Sequence, residues 1–126
     1  MTQSIRDFER SYVCGSASLA TKQFYAVKLD TDGTVIVGSA NGTGLVGVLQ
    51  NKPVVGAAAL VRFIGTSKVV SGGTIAVGAW VTSTTGGTVV ATTSDHDVVL
   101  GRFIGTAAAA SGDIIEVQLG IFTLSA

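Results

Sequence analysis

The stretch Arg62-Phe63-Ile64-Gly65-Thr66 recurs forty residues later as Arg102-Phe103-Ile104-Gly105-Thr106. The two copies stay in register through Ser71-Gly72 and Ser111-Gly112, which are typical turn residues, and into the β-branched segment that follows each turn. A strand, a turn and a second strand that recur predict a duplicated β-hairpin. Repeat arrays need about three or more units to bury a shared core. Two copies in 126 residues therefore predict one small all-β domain with internal similarity.

Short β-patterned segments continue on both sides of the repeat. The runs 24–29 and 34–37 flank Asp30-Thr31-Asp32-Gly33, which is a strong hairpin signal. A further strand is predicted over 45–50 and ends at Asn51-Lys52-Pro53, where the proline removes a backbone donor. The remaining predicted strands are 58–64, 75–82, 88–92, 98–104 and 114–122. Short antiparallel strands between glycine-rich turns predict a small β-barrel or β-sandwich.

The N-terminal segment has a different pattern, so residues 1–18 are predicted to be an arm and residues 19–126 a single β domain. Three apolar side chains would share one face of a helix over residues 4–12. The same segment also fits a frayed terminus or an arm that orders only on a partner. In that last interpretation the anchors would be Ile5, Phe8 and Tyr12.

The chain is poor in charge. Charged residues make up 13% of the sequence, with eight acids and eight bases, which is about half the average of soluble proteins. So few charges predict a surface that is partly covered by another protein. The net charge is zero and Lys and Arg do not cluster, which argues against nucleic acid and anionic membranes as partners.

Three further features narrow the class of protein. The longest uncharged stretch, residues 69–94, contains five glycines and many Thr and Ser residues, so no membrane-spanning helix is predicted. Cys14 is the only cysteine, which excludes an intrachain disulfide and a cysteine-based zinc site. The first residues contain no apolar signal core, so synthesis and function without export by a signal peptide is the default expectation.

Two motifs resemble ligand sites but lack the rest of the pattern. Residues 42–47 match the GxGxxG fingerprint of dinucleotide-binding proteins, but that motif needs a following helix, whereas the next residues are β-like and lead to Pro53. Asp30 and Asp32 resemble the opening of a calcium loop. The sixth position of that loop is Val35 instead of Gly, and the twelfth is Asn41 instead of Glu. A glycine-rich loop and an Asp-rich turn are the predicted structures.

The segment Ser94-Asp95-His96-Asp97 contains the residue types of a hydrolytic triad. Triad members face each other from separate chain segments, whereas consecutive side chains in an extended chain point in opposite directions. A single histidine also cannot form the usual multi-histidine metal site. We therefore predict no enzymatic activity, no cofactor, no metal and no small-molecule substrate, and a solvated loop at this position.

One further pattern consists of Val46-Gly47-Val48-Leu49, residues 60–65 and 71–81, and a closing module over residues 99–103 and 107–119. With these segments, residues 23–120 resemble the capsid decoration, or cement, proteins of tailed bacteriophages. In the family pattern the segment from Arg102 corresponds to Val48 onward better than to Arg62 onward. The two pentapeptides would then not occupy the same place in a symmetric fold.

The resemblance implies a protein without enzymatic activity that binds the outer surface of the expanded phage head as a homotrimer at local threefold positions. Its partner would be the major capsid protein, and its location the virion after synthesis in the host cytoplasm. The candidate partner-binding residues are Ile5, Phe8, Tyr12, Arg62, Trp80 and Arg102. The alternative is a carbohydrate- or receptor-binding β module of a virion fibre or cell surface that would use Trp80, Tyr25 or residues 95–97.

Overall fold

The fold consists of two antiparallel five-stranded sheets. The structure is a computed structural model that describes residues 9–106 and 109–125. The first sheet contains β1 (Glu9–Val13), β2 (Ala26–Leu29), β3 (Val35–Val37), β4 (Leu45–Leu49) and β5 (Ala58–Arg62). The second contains β6 (Ile64–Val70), β7 (Trp80–Ser83), β8 (Val89–Ala91), β9 (Val98–Phe103) and β10 (Ile114–Thr123). The prediction of an all-β fold is confirmed. Of the two predicted architectures, barrel and sandwich, the structure is a sandwich, since neither sheet closes into a barrel.

The N-terminal segment differs from the prediction. Glu9–Val13 form a strand that pairs antiparallel with β5, from Glu9 opposite Arg62 to Val13 opposite Ala58. The predicted helix is therefore wrong for residues 9–12, because sheet pairing and the packing of Tyr12 against the core override the local apolar spacing. This part of the predicted arm belongs to the first sheet. Ile5 and Phe8 lie outside the described residues.

The two halves of the chain have the same topology. The strand order is β1-β5-β4-β2-β3 in the first sheet and β6-β10-β9-β7-β8 in the second, so each strand corresponds to the one five places later. The registers correspond as well, with an offset of 54 residues between β2–β4 and β7–β9. Ala26 lies opposite Val48 as Trp80 lies opposite Arg102, and the Val27–Gly47 pair corresponds to the Val81–Gly101 pair. The domain is thus an internal duplication.

The doubled pentapeptide is not the unit of that duplication. Arg62 ends β5 and Ile64 begins β6, so the first copy carries the chain from one sheet to the other. In the second copy Arg102 lies within β9, and the strand ends at Phe103. The correspondence of Arg102 with Val48, expected from the family pattern, is confirmed by the pairing.

Most predicted strands are confirmed, with two differences. β6 was not predicted, because the predicted strand over 58–64 ends before Gly65, whereas the chain continues as a strand through Gly65 to Val70. The predicted strand over 75–82 begins only at Trp80, because Gly78 adopts a φ of +85° and turns the chain. Ile75 instead forms an isolated bridge with Ala109.

The core follows the duplication, and the first sheet buries residues on both faces. Val27, Val35, Leu49 and Val61 form the core of the first half, which Cys14 and Leu19 complete. The opposite side of the same sheet contributes Ala26, Leu45 and Val48 to the core of the second half. Backbone hydrogen bonds also join the halves, including Ala26 N to Gly87 O at 2.8 Å and Val70 N to Phe24 O at 3.0 Å. The halves therefore pack as one unit.

Candidate functional site

Trp80 and Arg102 lie directly opposite each other on β7 and β9, so their side chains share one face of the second sheet. The Arg102 guanidinium carbon lies 4.2 Å from the centroid of the Trp80 ring, a cation–π contact. Phe122 packs against the same indole, with ring centroids 5.0 Å apart and an interplanar angle of 83°. Gln118 lies opposite Arg102 on β10. We call the surface formed by Trp80, Arg102, Gln118 and Phe122 the Trp80 face; it borders a cleft of about 300 Å³.

The duplication shows why the Trp80 face is distinctive. The positions equivalent to Trp80 and Arg102 in the first sheet are Ala26 and Val48, which are fully buried against the second half. In the second sheet Trp80 is half-buried and Arg102 is exposed, and Phe122 retains 38% of its accessible surface. The face that serves for packing in the first sheet is therefore open in the second. Trp and Arg are enriched among residues that dominate binding energy at protein interfaces.

Sequence reasoning identified Trp80 and Arg102 but missed Gln118 and Phe122. It also did not bring the first two together, because the forty-residue spacing of the pentapeptide hides the structural offset. A weak signal of that offset was present in Gly33-Thr34-Val35 and Gly87-Thr88-Val89, which are 54 residues apart. Aligning the halves on it places Trp80 over Ala26 and Arg102 over Val48.

Arg62 has a structural role at the junction between the two sheets. Its Nε donates to Glu9 Oε2 at 2.8 Å, and its Nη2 donates to the same oxygen at 2.5 Å. Its Nη1 donates to the backbone oxygen of Thr66 at 2.8 Å. Arg62 thus ties β1 and the start of β6 to the end of β5. Its role in binding a partner stays a prediction.

We expect the Glu9–Arg62 pair to contribute modestly to stability. Glu9→Gln and Arg62→Ala should each lower the free energy of unfolding by about 1 kcal/mol, because the pair is only partly exposed and the guanidinium makes three hydrogen bonds. A double-mutant cycle in urea should give a coupling energy of about 0.5–1 kcal/mol. Strictly additive effects would show that the ion pair itself contributes nothing.

Tyr12 lines a second, apolar groove of about 510 Å³ between the two sheets. Arg10 lies above its ring, with the guanidinium carbon 5.6 Å from the centroid. The other apolar lining residues include Leu45, Phe63 and Ile64, and Ile64 is 49% exposed. Gly120 lines both this groove and the cleft beside Trp80, so the two depressions adjoin. Tyr12 thus lines a groove that adjoins the cleft of the Trp80 face.

The glycine and aspartate motifs form turns, as predicted. β4 begins at Leu45, so the second half of the GxGxxG match is already a strand and no helix follows it. Asp30 Oδ1 accepts the amide of Thr31 at 2.8 Å. Asp32 Oδ1 accepts the hydroxyl of Thr34 at 2.6 Å and its amide at 3.1 Å, and these bonds hold the pKa of Asp32 below its usual value. The carboxylates thereby stabilise the turn between β2 and β3.

The Ser94–Asp97 segment does not assemble a triad. His96 has a φ of +72°, is exposed, and places Nδ1 3.2 Å from Asp95 Oδ2. Asp97 is instead buried and accepts a hydrogen bond from Thr92 Oγ1 at 2.6 Å. Over residues 9–106 and 109–125 no three His, Cys, Asp or Glu side chains are grouped to hold a metal ion. The same residues form no helix with the length and apolarity needed to span a membrane.

Comparison with known proteins gives a structural likeness. No family model matches the chain, and no curated protein matches its sequence. The fold is similar to the crystal structure of the N base of the head fibre gp8.5 in bacteriophage phi29, with a TM-score of 0.64 and 17% sequence identity. The likeness covers 94% of this chain and 99% of that chain. The two proteins therefore share a fold that includes both halves of the duplication.

Proposed function

We propose that this protein is a non-enzymatic structural component of a bacteriophage virion that decorates the outer surface of the capsid by binding the major capsid protein. The observation that carries the proposal is the likeness to the base of a phage head fibre, which extends over nearly the whole of both chains. The Trp80 face supports it, because an open packing face with Trp, Arg and Phe suits a protein partner.

The proposed mechanism is selective binding to one state of the capsid lattice. A homotrimer that contacts several capsid subunits at once stabilises only the arrangement in which its binding surfaces have the matching spacing. Binding to the expanded head alone shifts the lattice toward the expanded state and opposes subunit separation. The chain's 13% of charged residues is consistent with a surface that other subunits cover.

A carbohydrate- or receptor-binding module of a virion fibre is the second candidate, because the similar structure is itself part of a head fibre. Trp80 does not favour it as a sugar platform, since Arg102 stacks on the indole and Phe122 packs against it. The feature that favours this candidate lies elsewhere, in the polar cleft beside Asp97.

Co-sedimentation tests the decoration function. The purified protein is mixed with expanded, undecorated phage heads and, separately, with unexpanded shells, and its mass in solution is measured by light scattering. We expect a trimer that pellets with expanded heads and remains in the supernatant with unexpanded shells. Failure to pellet with expanded heads, or equal binding to both particles, would contradict the proposal.

A further inference from the structure

A polar cleft of about 620 Å³ lies between the β7–β8 hairpin, the loop that follows β8, and the turn that precedes β4. Its floor contains four buried polar residues, which are Thr82, Ser83, Thr92 and Asp97. Its rim is exposed and contains Asn41, Thr85, Thr93 and Ser94. The volume is in the range of small-molecule sites in proteins, about 300–1,000 Å³.

The three hydroxyl groups of the floor each donate a hydrogen bond within the protein. Thr82 Oγ1 donates to Val98 O at 2.7 Å, Ser83 Oγ donates to Ser39 O at 2.5 Å, and Thr92 Oγ1 donates to Asp97 Oδ2 at 2.6 Å. The other carboxylate oxygen, Asp97 Oδ1, accepts no hydrogen bond from the described part of the chain. Asp97, which lines the cleft and is 9% exposed, therefore has one carboxylate oxygen that the described residues leave without a hydrogen-bond donor. Buried polar groups normally have a partner.

We propose that this cleft is a glycan-binding site in which Asp97 Oδ1 accepts a hydrogen bond from a sugar hydroxyl. The floor offers acceptors, and the rim adds the Asn41 amide and three hydroxyls that both donate and accept. Sugar hydroxyls also both donate and accept hydrogen bonds, so one sugar could donate to the acceptors of the floor and exchange hydrogen bonds with the groups of the rim. The site is separate from the Trp80 face and does not depend on capsid attachment.

The lining favours a polyhydroxylated ligand over a cationic one. Asp97 is the only charged residue among those that line the cleft, and its neighbours are hydroxyls, one amide and small aliphatic side chains. A calcium ion takes six to eight oxygen ligands, often from several carboxylates. An ammonium group would satisfy Asp97 but would leave most of a 620 Å³ cleft and its rim amide without a partner.

NMR titration of the full-length protein tests the site. The probes are the methyl glycosides of glucose, galactose, mannose, rhamnose and N-acetylglucosamine at millimolar concentrations, and an oligosaccharide of whichever sugar binds. We expect saturable shifts of the backbone amides of residues 82–85 and 92–97 with at least one glycoside. If the oligosaccharide binds more tightly than the methyl glycoside, the natural ligand is a stretch of a glycan chain. If the two bind equally, the ligand is a single terminal sugar.

Two variants and a control assign the contacts. Asp97→Asn keeps an acceptor for Thr92 but removes the charge, and it should weaken binding at least about tenfold, as expected for a charge-assisted hydrogen bond. Asn41→Gly removes the rim amide and should also weaken binding. Glycine tolerates the φ of +64° at this position, so the backbone should not change. Glu116→Gln changes an exposed carboxylate on β10 that does not line the cleft and should leave affinity unchanged.

Three results would overturn the proposal. The first is the absence of saturable shifts with every glycoside. The second is sugar binding that neither Asp97→Asn nor Asn41→Gly weakens, although both variants retain the wild-type spectrum outside the cleft. The third is a response of the same amides to methylammonium but not to sugars, which would assign the cleft to a cationic side chain of a protein.

Discussion

Gly101→Ala is expected to lower the free energy of unfolding by about 3 kcal/mol. A Cβ at this position would lie less than 3.0 Å from the backbone oxygen of Gln118 on the neighbouring strand β10, and also from Val117 Cγ1. Backbone in the middle of a sheet cannot move away without breaking ladder hydrogen bonds. For a small domain, whose total stability is about 5–15 kcal/mol, this loss is large.

Gly47→Ala tests the same constraint in the other half and should cost about 4 kcal/mol. Gly47 is the equivalent of Gly101, and a Cβ there would lie less than 3.0 Å from Arg62 O and Val61 Cγ1. Its φ of +151° adds backbone strain for any other residue. Urea unfolding of both variants should show lower midpoints, with similar slopes if two-state behaviour holds.

Gly120→Ala is the matched control. Gly120 lies on β10 close to Gln118, but an added Cβ would meet no atom within 4 Å. We expect a change within about 0.5 kcal/mol. If all three substitutions had the same effect, the close approach of strands would not explain the glycines. If only one of the pair were destabilising, the two halves would not share this packing constraint.

The glycine pair also shows how far the sequence could predict the fold. The hairpin between β2 and β3 was predictable because a local signal, Asp30–Gly33, specifies it. The structural reason for Gly47 was not visible in the sequence, since nothing local reveals that Arg62 O approaches it from another strand. Its role depends on a pairing partner that is distant in the sequence, and such partners are set by the whole sheet.

The candidate site was less predictable for a related physical reason. In the sequence, Trp80 stands out only as a tryptophan among apolar residues and Arg102 only as one of few charges. Their contact depends on the register between β7 and β9, and Phe122 joins them only after a shift in register between β9 and β10. Register is specified by the pattern of burial over entire strands. The two identical pentapeptides suggest an offset of forty residues, but they occupy inequivalent positions, so they hide the true register.

Substitutions on the Trp80 face should have the largest effect on function. Arg102→Ala is expected to weaken binding to expanded heads at least about tenfold, and Trp80→Ala about thirtyfold or more, as for residues that dominate interface energies. Arg102 is exposed and its loss should leave the fold intact. Trp80→Ala also removes the ring contact with Phe122, so the melting temperature must be measured beside the affinity.

Lys52→Ala is the control for loss of a positive charge, since Lys52 is exposed on the loop between β4 and β5 and does not line the clefts beside Trp80 and Tyr12. It should bind expanded heads with the wild-type affinity. Equal binding by all three variants would exclude the Trp80 face as the capsid contact. A different result, in which Arg102→Ala and Trp80→Ala become monomeric in solution while Lys52→Ala remains a trimer, would place this face between copies of the chain. In either outcome the same set of variants would assign a partner to the open face of the second sheet. The equivalent residues of the first sheet, Ala26 and Val48, are buried in the core, and an exposed apolar face of this kind marks an interaction site.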